Sequence, residues 1–216
     1  MSRTPSDTHP TTASTAPASS DEVCDLSFEL VGRSLPADYA DALWGALTAR
    51  APWLADEPTA GMHPLRTSAN GRERLLTRRT KLMLRVPRAR LQDALRLCGT
   101  ALDIEGRALS LGDARPRSLQ ASATVGAAFV AGDSADELTH HDRLRTLLSE
   151  LDLPDHAIFG RMTECRIAGR AVAGSSMVIH RLRPEQSMRV QLRGLGPYRS
   201  HGCGLFVPYK LIDGLD

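Results

Sequence analysis

The sequence predicts an α+β fold made of two β-α-β-β-α-β units in series. Three observations carry that prediction. Strand-like alternation and helix-like apolar spacing follow one another in the same order twice along the chain. At 216 residues the chain can bury one large core or two small ones. The first twenty residues, nearly all Ser, Thr, Pro and Ala, have no apolar periodicity and cannot bury enough surface to offset their ordering entropy. The expected architecture is therefore a tandem ferredoxin-like (RRM-like) pair behind a disordered N-terminal leader. The leader spans 1–22, the first ferredoxin-like domain 23–118 and the second 119–216.

The elements follow in order. Leu26 to Leu30 alternates and reads as a strand. Pro36 opens a helix in which Tyr39, Ala42, Leu43, Ala46 and Leu47 share one face. A long Arg-rich stretch follows. Leu82, Leu84 and Val86 then alternate with Lys81, Met83 and Arg85, which predicts a strand with one charged face. Leu91, Ala94, Leu95 and Cys98 mark a second helix, ended by Gly99, and Leu102 to Leu111 supplies a closing strand or hairpin. The joint lies around Arg117 to Ala123.

The second half repeats the pattern. Val125 to Val130 is a strand. Ser134 and Glu137 form a capping box ahead of a helix with Leu144, Leu147, Leu148 and Leu151 on one face. Phe159 to Cys165 and Met177 to Leu182 are strands around a Gly-rich turn. Pro184 opens a helix through Met188 and Leu192. The loop "RGLGPYRSHGCG" joins that helix to a last strand at Leu205-Phe206-Val207.

Several chemistries are not signalled. Cys24, Cys98, Cys165 and Cys203 are far apart and form no C-x-x-C pair, so they read as reduced thiols in a cytosol. Neither an H-E-x-x-H run nor a P-loop occurs, nor does a carboxylate cluster, so no metal or cofactor is expected. No apolar run reaches the length of a membrane span, and the leader lacks the apolar stretch of a secretory signal.

The formal net charge of +2 conceals segregation. Residues 61–90 carry eight Arg and one Lys against one Glu, and residues 155–210 carry eight Arg and one Lys against three acids. The stretches before and between them, 23–60 and 91–154, are each net −4. Two arginine blocks in an otherwise acidic chain point to nucleic-acid contact, because guanidinium both forks onto phosphate and stacks on bases. In the first block Arg79, Lys81 and Arg85 are expected to share a basic strand face. In the second, Arg161, Arg166 and Arg170 flank a Gly-rich turn and could grip an RNA hairpin through its phosphates. In the terminal loop Arg193 and Arg199 add charge, and His201 and Tyr198 offer base or phosphate contact. Gly194, Gly196, Gly202 and Gly204 let a nucleic-acid backbone approach main-chain N–H groups. His63, just ahead of the arginines of the first block, has the residue type for proton transfer at neutral pH. His140 and His141 read as a solvated helix face, and His156 and His180 as strand-edge positions.

The stretch "GLGPYRSHGCGLFVPYK" resembles the C-terminal glycine-rich loop of the RAMP proteins of CRISPR systems. Together with "PADYADALWGAL", "PWL", "GMHPL" and "GCGLFVP", in that order, residues 24–210 resemble the CRISPR repeat-RNA endoribonucleases, in their myxobacterial-type branch. The resemblance implies a cytoplasmic enzyme that cuts precursor CRISPR RNA within its repeats to give mature guide RNAs. The implied cut is metal-independent, made by attack of a 2′-hydroxyl, and leaves a cyclic phosphate. It also implies that His63 is the catalytic histidine. Its partners would be repeat RNA, as precursor and mature guide, and other subunits of an effector complex. The family often adds a lysine or tyrosine near its histidine, for which Lys81 stands far along the sequence. Two other classes remain: a repeat-RNA-binding subunit that does not cut, and a small-ligand sensor on ferredoxin-like units. The basic blocks argue against the sensor, which needs an apolar pocket with few charges.

Overall fold

A computed structural model describes residues 22–210. All but the last residue of the expected leader lie outside the described residues. The first unit runs β1 (Val23–Gly32), β2 (Ser34–Pro36), α1 (Tyr39–Arg50), α2 (Trp53–Asp56), β3 (Gly61–Met62), β4 (Ser68–Asn70), β5 (Glu73–Leu75), β6 (Lys81–Pro87), α3 (Leu91–Leu95), β7 (Ala101–Ile104) and β8 (Arg107–Ser118). The second runs β9 (Val125–Ala131), α4 (Glu137–Glu150), β10 (Ala157–Ile167), β11 (Arg170–Ile179), α5 (Pro184–Arg193) and β12 (Val207–Pro208).

The main sheet of the first unit has the order β3-β6-β1-β8-β7, antiparallel throughout. With β7 set aside as a hairpin added to β8, β1 lies between the third and fourth strands of a β-α-β-β-α-β unit. The second unit gives β10-β11-β9-β12, which is the same topology. The tandem ferredoxin-like architecture is thus present. Alternation explains the first core: Leu26 and Phe28 of β1 face Leu84 and Leu82 of β6, all fully buried, with Leu43 and Leu47 of α1 above them. A second core gathers Val125, Val130, Leu144, Leu148, Met177, Val190 and Phe206.

Local departures have local causes. The predicted capping box is displaced: Asp136, next to the helix, accepts from the Thr139 N–H at 2.8 Å, while Ser134 Oγ takes the Asp136 N–H. The Arg-rich stretch contains a hairpin, β4–β5, which pairs with β2 as a separate small sheet. The second helix is shorter than its apolar spacing suggests and stops at Leu95. Between the units, Leu119 packs with Val23, Leu192 and Met188. Gln191 Nε2 donates to the Gln120 carbonyl at 2.9 Å, so α5 lies along the joint. Among the described residues no helix is long and apolar enough to cross a membrane.

Candidate functional site

β3 is a two-residue edge strand, and its register on β6 aims the residue after it. Met62 pairs with Leu84 and enters the core, and the His63 N–H donates to the Met83 carbonyl at 2.8 Å. One step further along, the His63 side chain turns to the opposite sheet face. There it meets Asp25 of β1, with Nε2 3.1 Å from Asp25 Oδ1.

That face is covered by the second unit. Asp25 is also held by Arg85, whose Nε and Nη2 donate to Oδ1 and Oδ2 at 2.8 and 3.0 Å. Arg85 Nη1 donates to the main-chain carbonyls of Gln191 and Phe206 at 2.6 and 3.1 Å. Burial alone would raise the pKa of Asp25. The hydrogen bonds from His63 and Arg85, with the Arg85 charge, outweigh it and hold the carboxyl well below the usual range. For His63 burial pushes the pKa down, Asp25 pulls it up, and the charges of Arg85 and Arg199 push it down again. The net direction is down, so the imidazole is neutral at neutral pH.

The glycine loop supplies the other wall. Its short 3-10 turn, Arg199–His201, lies against Gly61–Pro64. A Cβ on Gly61 would stand 2.7 Å from the Arg199 carbonyl oxygen, and one on Gly202 would stand 2.9 Å from that of Met62. Arg199 Nε donates to the Thr59 carbonyl at 3.1 Å, while Nη1 and Nη2 are buried without a partner among the described residues. Burial lowers the Arg199 pKa to about 10, Arg85 adding to the effect and Asp25 opposing it, so the side chain stays charged. His201 Nε2 lies 2.9 Å from Asp41 Oδ1 of α1, and its Nδ1 lies 2.9 Å from Ser200 Oγ. Beside this contact is a pocket of about 230 Å³, lined among others by Tyr39, Pro64, Arg74, Cys165, Arg166 and His201.

The other expected site residues divide. Arg79 is exposed in the turn ahead of β6, and Lys81 pairs with Glu29 at 3.1 Å. Arg85 is a correction: fully buried and spent on Asp25 and two carbonyls, it offers nothing to a ligand, so the expected basic face of β6 does not exist. Arg161, Arg166 and Arg170 are exposed along the β10–β11 hairpin, with Arg166 3.9 Å from Asp38. Arg193 is exposed at the end of α5.

The loop glycines also need correcting. Gly194, Gly202 and Gly204 are buried, and their N–H groups donate to the carbonyls of Val190, Arg199 and Phe129. Gly204, at φ +63°, sits where a Cβ would collide with the Leu195 carbonyl. These three serve close packing of protein on protein, and Gly196, though exposed, does so too, since a Cβ there would stand 2.8 Å from the Ala131 carbonyl oxygen.

His140 is a further correction. It is 1% exposed, with Nε2 3.3 Å from Ser175 Oγ, whereas His141 stacks on Phe159. His156 and His180 stack on each other at 5.4 Å. Sequence reasoning missed Asp25 and Asp41. A charged residue inside an apolar strand, flanked by Cys24 and Leu26, was the available sign for Asp25. Among the described residues no three His, Cys, Asp or Glu side chains gather as a metal-holding group.

Comparison with known proteins bears on most of the chain. The family model described as Cas6 Crispr matches residues 24–211. The CRISPR-associated endonuclease Cas6 of Myxococcus xanthus is 35% identical over 185 residues, which is 85% of this chain and 80% of that protein. Among solved structures, the product of a Cas6-related gene from Pyrococcus furiosus superposes with a TM-score of 0.62 at 13% identity, covering 88% of this chain and 99% of the other. A RAMP protein that binds different RNA substrates gives a TM-score of 0.60 at 14% identity, covering 87% of this chain and all of the other. At such identity the two structures speak for the fold.

Proposed function

The chain belongs to the Cas6 family, and from that premise we propose that it is an endoribonuclease that cuts precursor CRISPR RNA within its repeats, with no metal ion in the step. His63 takes the proton of the 2′-hydroxyl beside the scissile phosphate. The 2′-oxygen attacks phosphorus, the bond to the 5′-oxygen breaks, and that oxygen takes a proton from water. The products are a 2′,3′-cyclic phosphate and a 5′-hydroxyl.

The observation that carries this reading is the docking of the glycine loop on the "GMHPL" segment. It brings Arg199 close enough to His63 for its charge to oppose protonation of the ring. A neutral imidazole suits proton abstraction. A buried guanidinium with two unpartnered terminal nitrogens suits a phosphorane oxyanion, and supplies the charge that a metal would otherwise provide. Arg74 and Arg166 at the adjacent pocket, the exposed Arg79, Arg161, Arg170 and Arg193, and the half-buried Lys81 are the cations offered to the repeat's phosphates. His63 is buried, and Arg199 is half-buried with both of its Nη atoms enclosed.

The test is a repeat-RNA digest with His63→Ala in EDTA-containing buffer beside the wild type. Wild-type cutting should persist in EDTA. The variant should cut on the order of 10²–10⁴-fold more slowly with repeat affinity near wild type. A single 2′-deoxy substitution upstream of the cut should block cleavage and permit binding. Full activity of His63→Ala would remove this residue from the mechanism. Cleavage of the 2′-deoxy RNA would remove the reaction itself, and activity that EDTA abolishes and magnesium restores would remove metal independence.

A further inference from the structure

We propose that Asp25 is a positioning residue for the cut: it holds His63 in the tautomer with hydrogen on Nε2, so that Nδ1 presents the lone pair that takes the 2′-hydroxyl proton. This rests on the reading of His63 as the base.

The hydrogen-bond accounting at Asp25 leaves one arrangement. The residue is 9% exposed, and its two oxygens meet three nitrogens: His63 Nε2 and Arg85 Nε at Oδ1, and Arg85 Nη2 at Oδ2. An ionised carboxylate has no hydrogen to give, and a guanidinium has no lone pair to offer. Both Arg85 nitrogens therefore donate, and the hydrogen between His63 and Asp25 must come from Nε2. A neutral imidazole carries a single N–H, so Nδ1 is left as the acceptor. The opposite tautomer would set the Nε2 lone pair against a carboxylate oxygen in a buried site.

Arg85 completes the device. With Asp25 alone beside it, the imidazole would be drawn toward its protonated form, which cannot act as a base. Burial does most to offset that pull, and the charges of Arg85 and Arg199 act in the same direction. The remaining nitrogen of Arg85 grips the Gln191 and Phe206 carbonyls, which stand before and after the glycine loop. The base is thereby registered to the loop that carries Arg199. In the step, hydrogen leaves the 2′-oxygen for Nδ1, the O2′–P bond forms as the P–O5′ bond breaks, and water protonates the 5′-oxygen. The imidazolium then loses its added proton to the hydroxide left behind.

Two measurements decide. In the full-length wild-type chain labelled with 15N, long-range proton–nitrogen spectra separate the ring nitrogens, and the His63 signals are those missing from His63→Ala. An Nε2–H tautomer at neutral pH is expected. An Nδ1–H tautomer or an even mixture overturns the proposal, and this test needs no Asp25 variant. The second is Asp25→Asn. Its amide cannot accept from all three donors, since its own NH2 must meet one of them. Turnover should fall on the order of 10²–10⁴-fold with repeat affinity near wild type. The acid limb of the rate–pH profile should move to lower pH, because Asp25 no longer raises the proton affinity of His63. Wild-type turnover with an unmoved limb overturns the proposal. Full activity in His63→Ala would instead defeat the base reading, while the wild-type tautomer would still report on Asp25.

Discussion

Arg79 and Arg85 belong to one basic block, and the fold uses them in opposite ways. Arg79 stands in solvent ahead of β6, free to meet a phosphate. Arg85 lies on the same stretch of chain with no exposed surface, each of its nitrogens bound to protein. The difference between them is cover: the second unit lies over one end of β6 and leaves the other end open. Charge count therefore finds the block, and only the neighbouring unit decides which arginine is a strut and which is a ligand contact.

Arg85→Ala offers the strongest attack on this comparison. It leaves Asp25 buried without its main partner and removes the tie to Gln191 and Phe206. The expected cost is about 3–5 kcal/mol, a drop in Tm of roughly 10 °C by thermal unfolding. Unchanged stability with lost RNA affinity would put Arg85 among the ligand contacts after all. At the open end, Arg78→Ala with Arg79→Ala should leave Tm within about 2 °C of wild type. Repeat-RNA binding, measured against salt, should weaken and lose slope by about 0.7–0.9 per phosphate contact given up. A pair that alters Tm but not the salt slope would reverse the assignment.

The third and smallest effect is the pH dependence of stability. His63 has its pKa lowered by folding, so the unfolded chain binds more protons and stability falls as pH drops below about 6.5. Asp25 is also lowered, and its contribution is lost further down, as pH falls below about 3.8. In His63→Ala the first decline should lessen, with His140 and His201 keeping part of it, and the second should shrink because Arg85 alone then holds Asp25 down, as read from Tm across the pH range.

The sequence made the fold legible where one unit explains a residue. Leu82, Leu84 and Val86 alternate because the core of their own unit takes every second side chain, and all three are fully buried. The same alternation places Arg85 on the other face and is silent about what covers it, since Gln191 and Phe206 come 106 and 121 residues later. The loop glycines follow the same logic. Their spacing tells where the backbone needs freedom, and at Gly194, Gly202 and Gly204 that freedom is spent on packing against protein. His140 is legible in the sequence as a core position: with Leu144 and Leu148 it forms an unbroken row at intervals of four, which marks the buried face of α4.

The clasp between Arg85 and the carbonyls of Gln191 and Phe206 also fixes an order of events during synthesis. Every residue of the first unit, Asp25 and Arg85 included, is synthesised before α5 leaves the ribosome. Until then the pair stands in water, where both charges are well solvated and nothing is owed to the second unit. Arg85 is closed off only when the last helix and the loop after it arrive. A nascent chain that stops short of Gln191 therefore has every strand of the first sheet and His63 on its β3 edge, but lacks the surface that turns a solvated ion pair into a buried one.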